Sequence, residues 1–503
     1  MVLLTNYNLF SEKITFYKRC TTFTLAVFVF VVSLFYFFFK DSYLEKIHYS
    51  VMGIFGWVLV IIFLISWKKL TGHIISVYML FAFFLFAFCY GQALLYPFNL
   101  VDPVRDVFNS YWASSEYVFV SEYFSLICIC AFHFGGVVFL TKKAILRTHD
   151  ASFSKNEVPI TETKIKYKSF FIASLFFLII SSFPFVLTTL GSIQLARSSG
   201  YDLSLLRALN NLPRILILLD NFFIPSLFCI YIISIKCYKH VRLLFVPIFA
   251  IHILISLYIG IRSSAMVIAM GLLLIEHFFV KKFKGRRLVL LFIIAYFALV
   301  VVSGVGKIRS MKNRQIQDVI TAVFTSFINV DFLFETLTMF GKQINTLMKS
   351  IELVPSIYPY RYGSGYFWAF TSIIPNMGFW DVHPAETYSN FEAWLAEVAE
   401  LDGFAPGFNM ITEAYINGGL ALGWLFMIPQ GWFVSLISSK LNSQTIRRNP
   451  DHAILAFLIT LAIATLPRQT SSLIIRDVVY YCLTIFIFAK LIARLLIKKQ
   501  RAV

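Results

Sequence analysis

Long apolar segments recur along almost the whole chain, and they limit its possible folds more than any other feature. A helix crosses the hydrocarbon core of a bilayer in about 20 mostly apolar residues. Because only 14% of the 503 residues are charged, against roughly 25% in soluble domains, a water-soluble protein is excluded. We predict an all-α, polytopic membrane protein with about 12 transmembrane helices, forming a single membrane domain over 1–503. The predicted spans are 21–39, 49–67, 73–96, 117–140, 169–190, 213–235, 243–260, 263–280, 288–305, 411–438, 451–467 and 477–497.

The distribution of basic residues indicates the orientation of these spans. Lys and Arg accumulate in the short cytoplasmic loops of membrane proteins. With the N-terminus inside, 28 of the 44 Lys and Arg residues fall in inner segments, whereas the reverse orientation would place the basic run 281–287 outside. Both termini are therefore predicted to be cytoplasmic. The net charge of +18 is explained by topology and requires no nucleic-acid partner.

The connection after the ninth span, 306–410, is predicted to be a large loop on the outer side. Connections longer than about 12–15 residues are usually functional when they are ordered, and the many aromatic residues here are not typical of disorder. Apolar residues such as Leu333, Leu337, Phe340 and Ile344 recur at intervals of three or four. This spacing predicts an amphipathic helix near 331–353, which either lies along the outer membrane surface or caps the helix bundle.

Three ionisable residues lie in the outer half of the predicted membrane region: Glu122, Asp220 and Arg262. Charged groups inside a bilayer are costly and usually have a partner or a function. They either pair with each other, reach the membrane interface, or line a polar cavity that opens to the outside.

The basic residues on the outer side are mainly arginines, ten against six lysines, while lysine predominates inside. The planar guanidinium group suits a bidentate contact with phosphate. A lipid-linked diphosphate is one anionic ligand for these arginines, and lipid headgroups are the alternative.

Two stretches combine aromatic rings with charged and polar groups. The first covers 354–366 and continues through Ile374-Pro375 to Trp380 and His383, and the second covers 407–419 and includes Glu413 near the outer end of the tenth span. Such a composition is typical of a sugar-binding cleft, because rings cover the apolar faces of sugars while charged groups bond their hydroxyls. An interfacial aromatic belt is the alternative interpretation.

The order of these elements resembles the bacterial O-antigen polymerases of the Wzy type, also called oligosaccharide repeat-unit polymerases. The resemblance covers roughly 243–433. It rests on the Tyr-Gly-Ser-Gly-Tyr segment 362–366, on Ile374-Pro375, on the Glu-Ala-Tyr-Ile-Asn-Gly segment 413–418, and on Arg262 in a turn between two spans.

The resemblance implies a GT-C-like glycosyltransferase of the bacterial inner membrane, with its site on the periplasmic side. Such enzymes move a growing glycan from undecaprenyl diphosphate onto a new lipid-linked repeat unit, producing O-antigen of lipopolysaccharide or a related surface polysaccharide. The resemblance further implies no metal, no cofactor, and a chain-length regulator protein as a possible partner. The sequence contains no Asp-x-Asp motif, and Glu400-Leu-Asp402 is its nearest approximation.

Residue roles follow from the resemblance together with residue chemistry. We expect Arg262 and Arg361 to bind the diphosphate, with Arg309 and Arg314 as auxiliaries. Glu413 is the expected general base, and His383 is the alternative, since histidine titrates nearest to neutral pH. Each base candidate also has a structural interpretation, as a helix-end carboxylate and as a hydrogen-bonding loop residue. The expected glycan contacts are Tyr362, Tyr366, Trp380, Tyr415 and Asn417.

Two other functions remain open. An O-antigen ligase, which moves the finished glycan onto lipid A core, shares the general architecture. A flippase of lipid-linked oligosaccharide would instead carry polar residues through the midplane and have two comparable halves. His133 and His252 are the midplane candidates, and we expect both to be hydrogen-bonded within the bundle.

Overall fold

A computed structural model describes most of the chain, and every secondary-structure element in the described residues is a helix. The described residues are 2–101, 114–138, 140, 160–199, 213–237, 242–308, 311, 315–328, 332–376, 378–401 and 407–501.

Twenty-two α-helices, numbered here in chain order, account for most of these residues. They are α1 Val2–Phe39, α2 Lys46–Thr71, α3 Val77–Tyr90, α4 Val118–Val138, α5 Ile160–Ser199, α6 Arg214–Asp220, α7 Phe223–Cys237, α8 Arg242–Ile259, α9 Arg262–Ile275, α10 Arg286–Ile308, α11 Ile316–Ile328, α12 Phe332–Gly341, α13 Ile344–Leu353, α14 Ser364–Thr371, α15 Pro384–Tyr388, α16 Phe391–Val398, α17 Met410–Leu422, α18 Met427–Lys440, α19 Ser443–Arg448, α20 Pro450–Ile463, α21 Ser471–Asp477 and α22 Thr484–Arg501. Short 3₁₀ helices lie at Ala93–Phe98, Ser115–Tyr117, Gly423–Phe426 and Leu466–Arg468, and π-helical turns lie at Glu276–Val280 and Val478–Leu483.

Ten helical segments among the described residues are long and apolar enough to cross a membrane, which confirms the prediction of an all-helical, multi-pass protein. They correspond to ten of the twelve predicted spans. The third and seventh predicted spans coincide with the shorter apolar helices Val77–Tyr90 and Leu243–Ile259. The apolar run of the third predicted span continues beyond α3 as the 3₁₀ helix Ala93–Phe98.

The predicted amphipathic helix at 331–353 is two helices, α12 and α13, separated at Lys342 and Gln343. Gly341 ends α12 in close contact with the backbone of Gln92, where an added Cβ would lie 2.4 Å from the Gln92 nitrogen. Helix α13 is largely buried. Whether this helix lies along the membrane surface or caps the bundle stays a prediction; α13 itself is a packed element of the first unit.

The chain forms two compact units, each built from separated parts of the sequence. The first comprises Met1–Phe153, Leu337–Asn442 and Leu466–Arg476, and the second comprises Ser154–Thr336, Ser443–Thr465 and Asp477–Val503. All of the strongest sequence motifs except the turn at Arg262 belong to the first unit.

Glycines allow α4 and α18 to approach closely in the first unit. A Cβ added at Gly135 would lie 2.0 Å from the carbonyl oxygen of Ile428, and one added at Gly431 would lie 1.8 Å from that of Phe132. Small residues at such contacts are typical of membrane helix pairs. This pair supports the elements that carry the candidate site, because α17 leads into α18 through Gly423–Phe426.

His133 is buried in the first unit and is fully hydrogen-bonded, as expected. Its Nε2 is 2.7 Å from the Ser66 hydroxyl, its Nδ1 is 2.9 Å from the Tyr78 hydroxyl, and its ring stacks on Phe63. The expectation is wrong for His252 in the second unit, whose Nδ1 has no hydrogen-bond partner among the described residues.

Aromatic side chains form much of the core of the second unit. Phe228 of α7 packs against Phe249 of α8 and Phe457 of α20, with ring centroids 4.6 and 5.5 Å apart. Asp451 at the start of α20 is buried and forms an ion pair with Lys490 of α22. Pairing offsets part of the cost of removing these charges from water.

Substituting Gly431 by Leu should separate α4 from α18 and destabilise the first unit. Overpacking of a filled contact costs roughly 1–3 kcal/mol, which should lower the thermal denaturation midpoint of the protein in detergent. Ala26→Leu is the matched control, because Ala26 is exposed on α1. Equal midpoints for the two variants would contradict the importance of this glycine contact.

Candidate active site

The N-terminus of α17 is held by Asn409, the N-cap residue that immediately precedes the helix. Its Oδ1 accepts hydrogen bonds from the amides of Ile411 and Thr412, at 3.0 and 2.9 Å, as a helix-capping side chain does. Its Nδ2 donates to the carbonyl oxygen of Gln343 and to the Thr346 hydroxyl, both at 2.9 Å. The start of α17 is therefore fixed in place against α13.

Glu413 lies in the first turn of α17 and is completely buried. Its Oε2 accepts two hydrogen bonds from Ser471, one from the backbone N–H and one from the hydroxyl, each 2.9 Å long. Its Oε1 is also buried and has no hydrogen-bond partner among the described residues. Because a buried polar atom without a partner is costly, Oε1 is an unsatisfied acceptor at the head of α17.

Asn417 joins the two stretches that the sequence analysis singled out. Its Nδ2 donates to the backbone carbonyl of Glu413 at 2.8 Å, and its Oδ1 accepts from the amide of Gly365 at 3.0 Å. The backbone adds two bonds, from the Arg361 amide to the Ile416 carbonyl at 2.9 Å and from the Gly363 amide to the Asn417 carbonyl at 3.2 Å. Segment 361–365 is thus docked directly on the helix that carries Glu413.

This docking depends on glycine at two positions. A Cβ on Gly365 would lie 2.5 Å from the Phe391 ring and 2.9 Å from the Asn417 amide, and Gly363 has a φ of +82°. Side chains are disfavoured in such a backbone conformation. The two glycines of the Tyr-Gly-Ser-Gly-Tyr segment therefore allow its backbone to approach α17 closely.

Arg361 and Tyr362 are the first two residues of the docked segment. Arg361 is partly buried, and within the described part of the chain its guanidinium group forms no hydrogen bond or ion pair. Tyr362 is 79% exposed and has a φ of +47°, which is uncommon for a residue other than glycine. Both side chains remain available to a ligand.

Tyr366 belongs to α14 and lies close to Glu413. Burial, followed by the negative charge of Glu413, raises the pKa of the Tyr366 hydroxyl well above its ordinary value. Gln430 donates to that hydroxyl at 3.3 Å, and the ring packs against Phe426 at 4.9 Å. The hydroxyl therefore stays protonated and can donate a hydrogen bond.

Tyr415 and His383 make contacts that hold the fold. The Tyr415 hydroxyl is buried and donates to the carbonyl of Val354 at 2.7 Å. The Nδ1 of His383 accepts from the Ala385 amide at 3.1 Å, and its Nε2 lies 2.8 Å from the Ile374 carbonyl. Both ring nitrogens of His383 are thus engaged in capping α15 and in holding the Ile-Pro segment.

Trp380 lies next to His383, with the two ring centroids 5.1 Å apart. The Trp380 backbone carbonyl accepts a hydrogen bond from the Asn376 amide at 2.8 Å. Its side chain is only partly buried.

The expected diphosphate ligands are distributed over different parts of the chain. Arg361 belongs to the first unit, whereas Arg262, at the start of α9, belongs to the second and donates to the carbonyl of Val302 at 3.3 Å. Arg309 and Arg314 lie outside the described residues.

The outer-half acids are also divided between the units. Glu122 of the first unit is buried beside the Tyr96 hydroxyl. Asp220 of the second unit lies beside the Thr188 hydroxyl. Within either unit, the structure therefore describes no ion pair among Glu122, Asp220 and Arg262, which was one of the alternatives considered.

Sequence reasoning missed Ser471 and Gln430, which contact the predicted carboxylate and the predicted tyrosine. One signal for Ser471 was present, the run Thr470-Ser471-Ser472, which lies four residues before the last predicted span. No spacing rule connects a serine at 471 with a glutamate at 413, so only the folded chain reveals their contact.

The apolar helices and the buried carboxylate at the head of one of them define a multi-pass membrane protein with a candidate active site near a helix end. The chain matches the family model described as O-antigen polysaccharide polymerase Wzy over residues 21–501. It therefore belongs to the Wzy family of O-antigen polymerases, which confirms the resemblance noted in its sequence. No curated protein and no solved structure shows significant similarity to it.

Asn417→Ala should loosen the docked segment, because it leaves the Gly365 amide and the Glu413 carbonyl without their partner. Loss of such buried bonds costs roughly 1–3 kcal/mol, measurable as a lower denaturation midpoint and faster proteolysis within 355–409. Asn221→Ala is the control, since the exposed Asn221 makes the same type of bond, to the carbonyl four residues earlier, at 2.9 Å. Equal effects of the two substitutions would refute the bridging role of Asn417.

Proposed function

We propose that this protein polymerises undecaprenyl-diphosphate-linked oligosaccharide repeat units into O-antigen or a related surface polysaccharide. The reaction takes place at the periplasmic face of the bacterial inner membrane, in a GT-C-like arrangement with both termini in the cytoplasm. Family membership supports the activity. The observation that carries the site assignment is the buried Glu413, whose Oε1 has no hydrogen-bond partner among the described residues.

Glu413 acts as the general base in the proposed reaction. A hydroxyl oxygen at the non-reducing end of the new repeat unit attacks the anomeric carbon of the growing glycan. The bond from that carbon to the diphosphate oxygen breaks, undecaprenyl diphosphate leaves with the bonding electrons, and the hydroxyl proton passes to Glu413 Oε1. A base that takes a proton in this way must lie within hydrogen-bonding distance of the attacking hydroxyl.

Arg361 and Arg262 bind the leaving diphosphate. Negative charge develops there as the glycosidic bond breaks, and a fixed cation at that position lowers the barrier. The unpartnered guanidinium of Arg361 on the docked segment supports its assignment, and Arg309 and Arg314 are proposed as auxiliaries.

Tyr362 and Trp380 cover sugar faces, and the protonated Tyr366 hydroxyl bonds a sugar oxygen. The contacts of Tyr415 and Asn417 favour a supporting role for these two residues, since their polar groups already bond the protein backbone. His383 is less favoured than Glu413 as the base, because both of its ring nitrogens are engaged. We further propose, on the basis of the family, that the enzyme needs no metal and works with a chain-length regulator protein.

Incubation of the purified protein with a single lipid-linked repeat unit should yield a ladder of longer glycans. Glu413→Gln should reduce elongation by roughly 10²–10⁴-fold, since the amide cannot accept the proton. Glu386→Gln, at an exposed carboxylate of the same loop, should retain activity.

Other outcomes of this assay separate the alternatives. Transfer of glycan to lipid A core without a ladder would identify a ligase, and movement of intact substrate across the membrane without bond formation would identify a flippase. Either result would overturn the polymerase assignment.

Replacing Arg361 or Arg262 by Ala should lower the rate of chain extension by roughly 10²-fold through loss of charge stabilisation. Lys at either position should restore it only partly, because an ammonium group cannot make the bidentate contact. Arg494→Ala, at an exposed arginine of α22, is the control. Unchanged glycan length in both alanine variants would refute the diphosphate assignment.

A further inference from the structure

Ser471 holds the Glu413 carboxylate from one side only. Its backbone N–H and its hydroxyl both donate to Oε2 at 2.9 Å, and no described residue bonds Oε1. The terminal torsion of a glutamate has broad minima, so covalent geometry alone leaves the carboxylate free to rotate. Two donors that converge on one oxygen remove this freedom.

The segment that carries Ser471 is itself tied to its surroundings in the first unit. The Thr470 and Ser472 hydroxyls are 3.1 Å apart, and the Ser372 hydroxyl at the end of α14 donates to the Ser472 carbonyl at 3.1 Å. Pro467, four residues before Ser471, is buried. Ser471 is therefore a fixed point connected to the same loop that docks on α17.

We propose that Ser471 is a positioning residue for catalysis, which fixes the orientation of Glu413 so that Oε1 faces the acceptor hydroxyl. This inference rests on the proposed function of Glu413 and extends it to a residue outside the sequence motifs. Ser471 takes no proton itself. It keeps Oε2 occupied, so the proton released by the attacking hydroxyl goes to Oε1.

A positioning role has a specific kinetic signature. Misorientation of a reacting group by about 1 Å can cost roughly 10²-fold in rate, whereas ground-state binding of the glycan by other residues is unaffected. Loss of the Ser471 hydroxyl should therefore reduce kcat and leave KM for the lipid-linked repeat unit nearly unchanged.

The test uses the full-length protein in lipid nanodiscs and a single defined lipid-linked repeat unit. Ser471→Ala should lower kcat by roughly 10–100-fold with KM within about twofold of the original. Ser471→Thr keeps a hydroxyl on the same backbone position and should restore kcat to within about fivefold. Ser472→Ala is the matched control, because the neighbouring Ser472 hydroxyl contacts Thr470 and the Ser389 carbonyl rather than Glu413.

Three results would overturn the inference: a normal kcat for Ser471→Ala, no recovery in Ser471→Thr, or an equal loss in Ser472→Ala. The last would indicate a general structural effect of the Thr-Ser-Ser run. Thermal denaturation midpoints identify a variant that has lost activity because it is unfolded. If Ser471→Ala is unfolded, the kcat of Ser471→Thr decides whether the hydroxyl at this position is required.

Failure of the inference is distinguishable from failure of the proposed function. If the original protein forms a ladder and Glu413→Gln abolishes it while Ser471→Ala is fully active, only the role of Ser471 is refuted. If Glu413→Gln is fully active, the proposed base is refuted whatever Ser471 does.

Discussion

The absence of water from the bilayer interior is the constraint on which the rest of this structure depends. Polar groups there must find partners within the protein, and many polar side chains of the first unit do so. His133 bonds Ser66 and Tyr78, while Asn409 and Asn417 use their amide groups to fix α17. Several buried polar atoms of this unit have no partner among the described residues, and Glu413 at the candidate site carries one of them, because Ser471 bonds only one of its two carboxylate oxygens.

The candidate site is built largely from backbone contacts. Segment 361–365 is attached to α17 through amide-to-carbonyl bonds and through Asn417, and glycine at 363 and 365 permits the approach. Rigid attachment matters for a transferase, since two large, lipid-anchored substrates must meet in one geometry. The loop thus supplies Arg361 and Tyr362 from a surface that is fixed relative to Glu413.

Much of the fold and part of the site could be predicted from local pattern. Apolar length located ten helical segments of the described residues that are long and apolar enough to cross a membrane, and the motifs at 362–366 and 413–418 indicated segments that lie in contact. Local pattern was less informative where tertiary packing overrides periodicity. The apolar stripe near 331–353 is divided between α12 and α13, with Gly341 packed against the Gln92 backbone, and much of α13 is buried in the first unit.

The sequence by itself determined the helical class, the multi-pass character and the family, because these depend on the length of apolar runs and on contiguous motifs. The tertiary structure decided which polar groups remain available for chemistry. It engages both nitrogens of His383 and the hydroxyl of Tyr415 in backbone contacts, and it brings Ser471 to Glu413 across 58 positions of the chain. Hydrogen bonds between residues so distant in sequence depend on packing, and no local pattern encodes them.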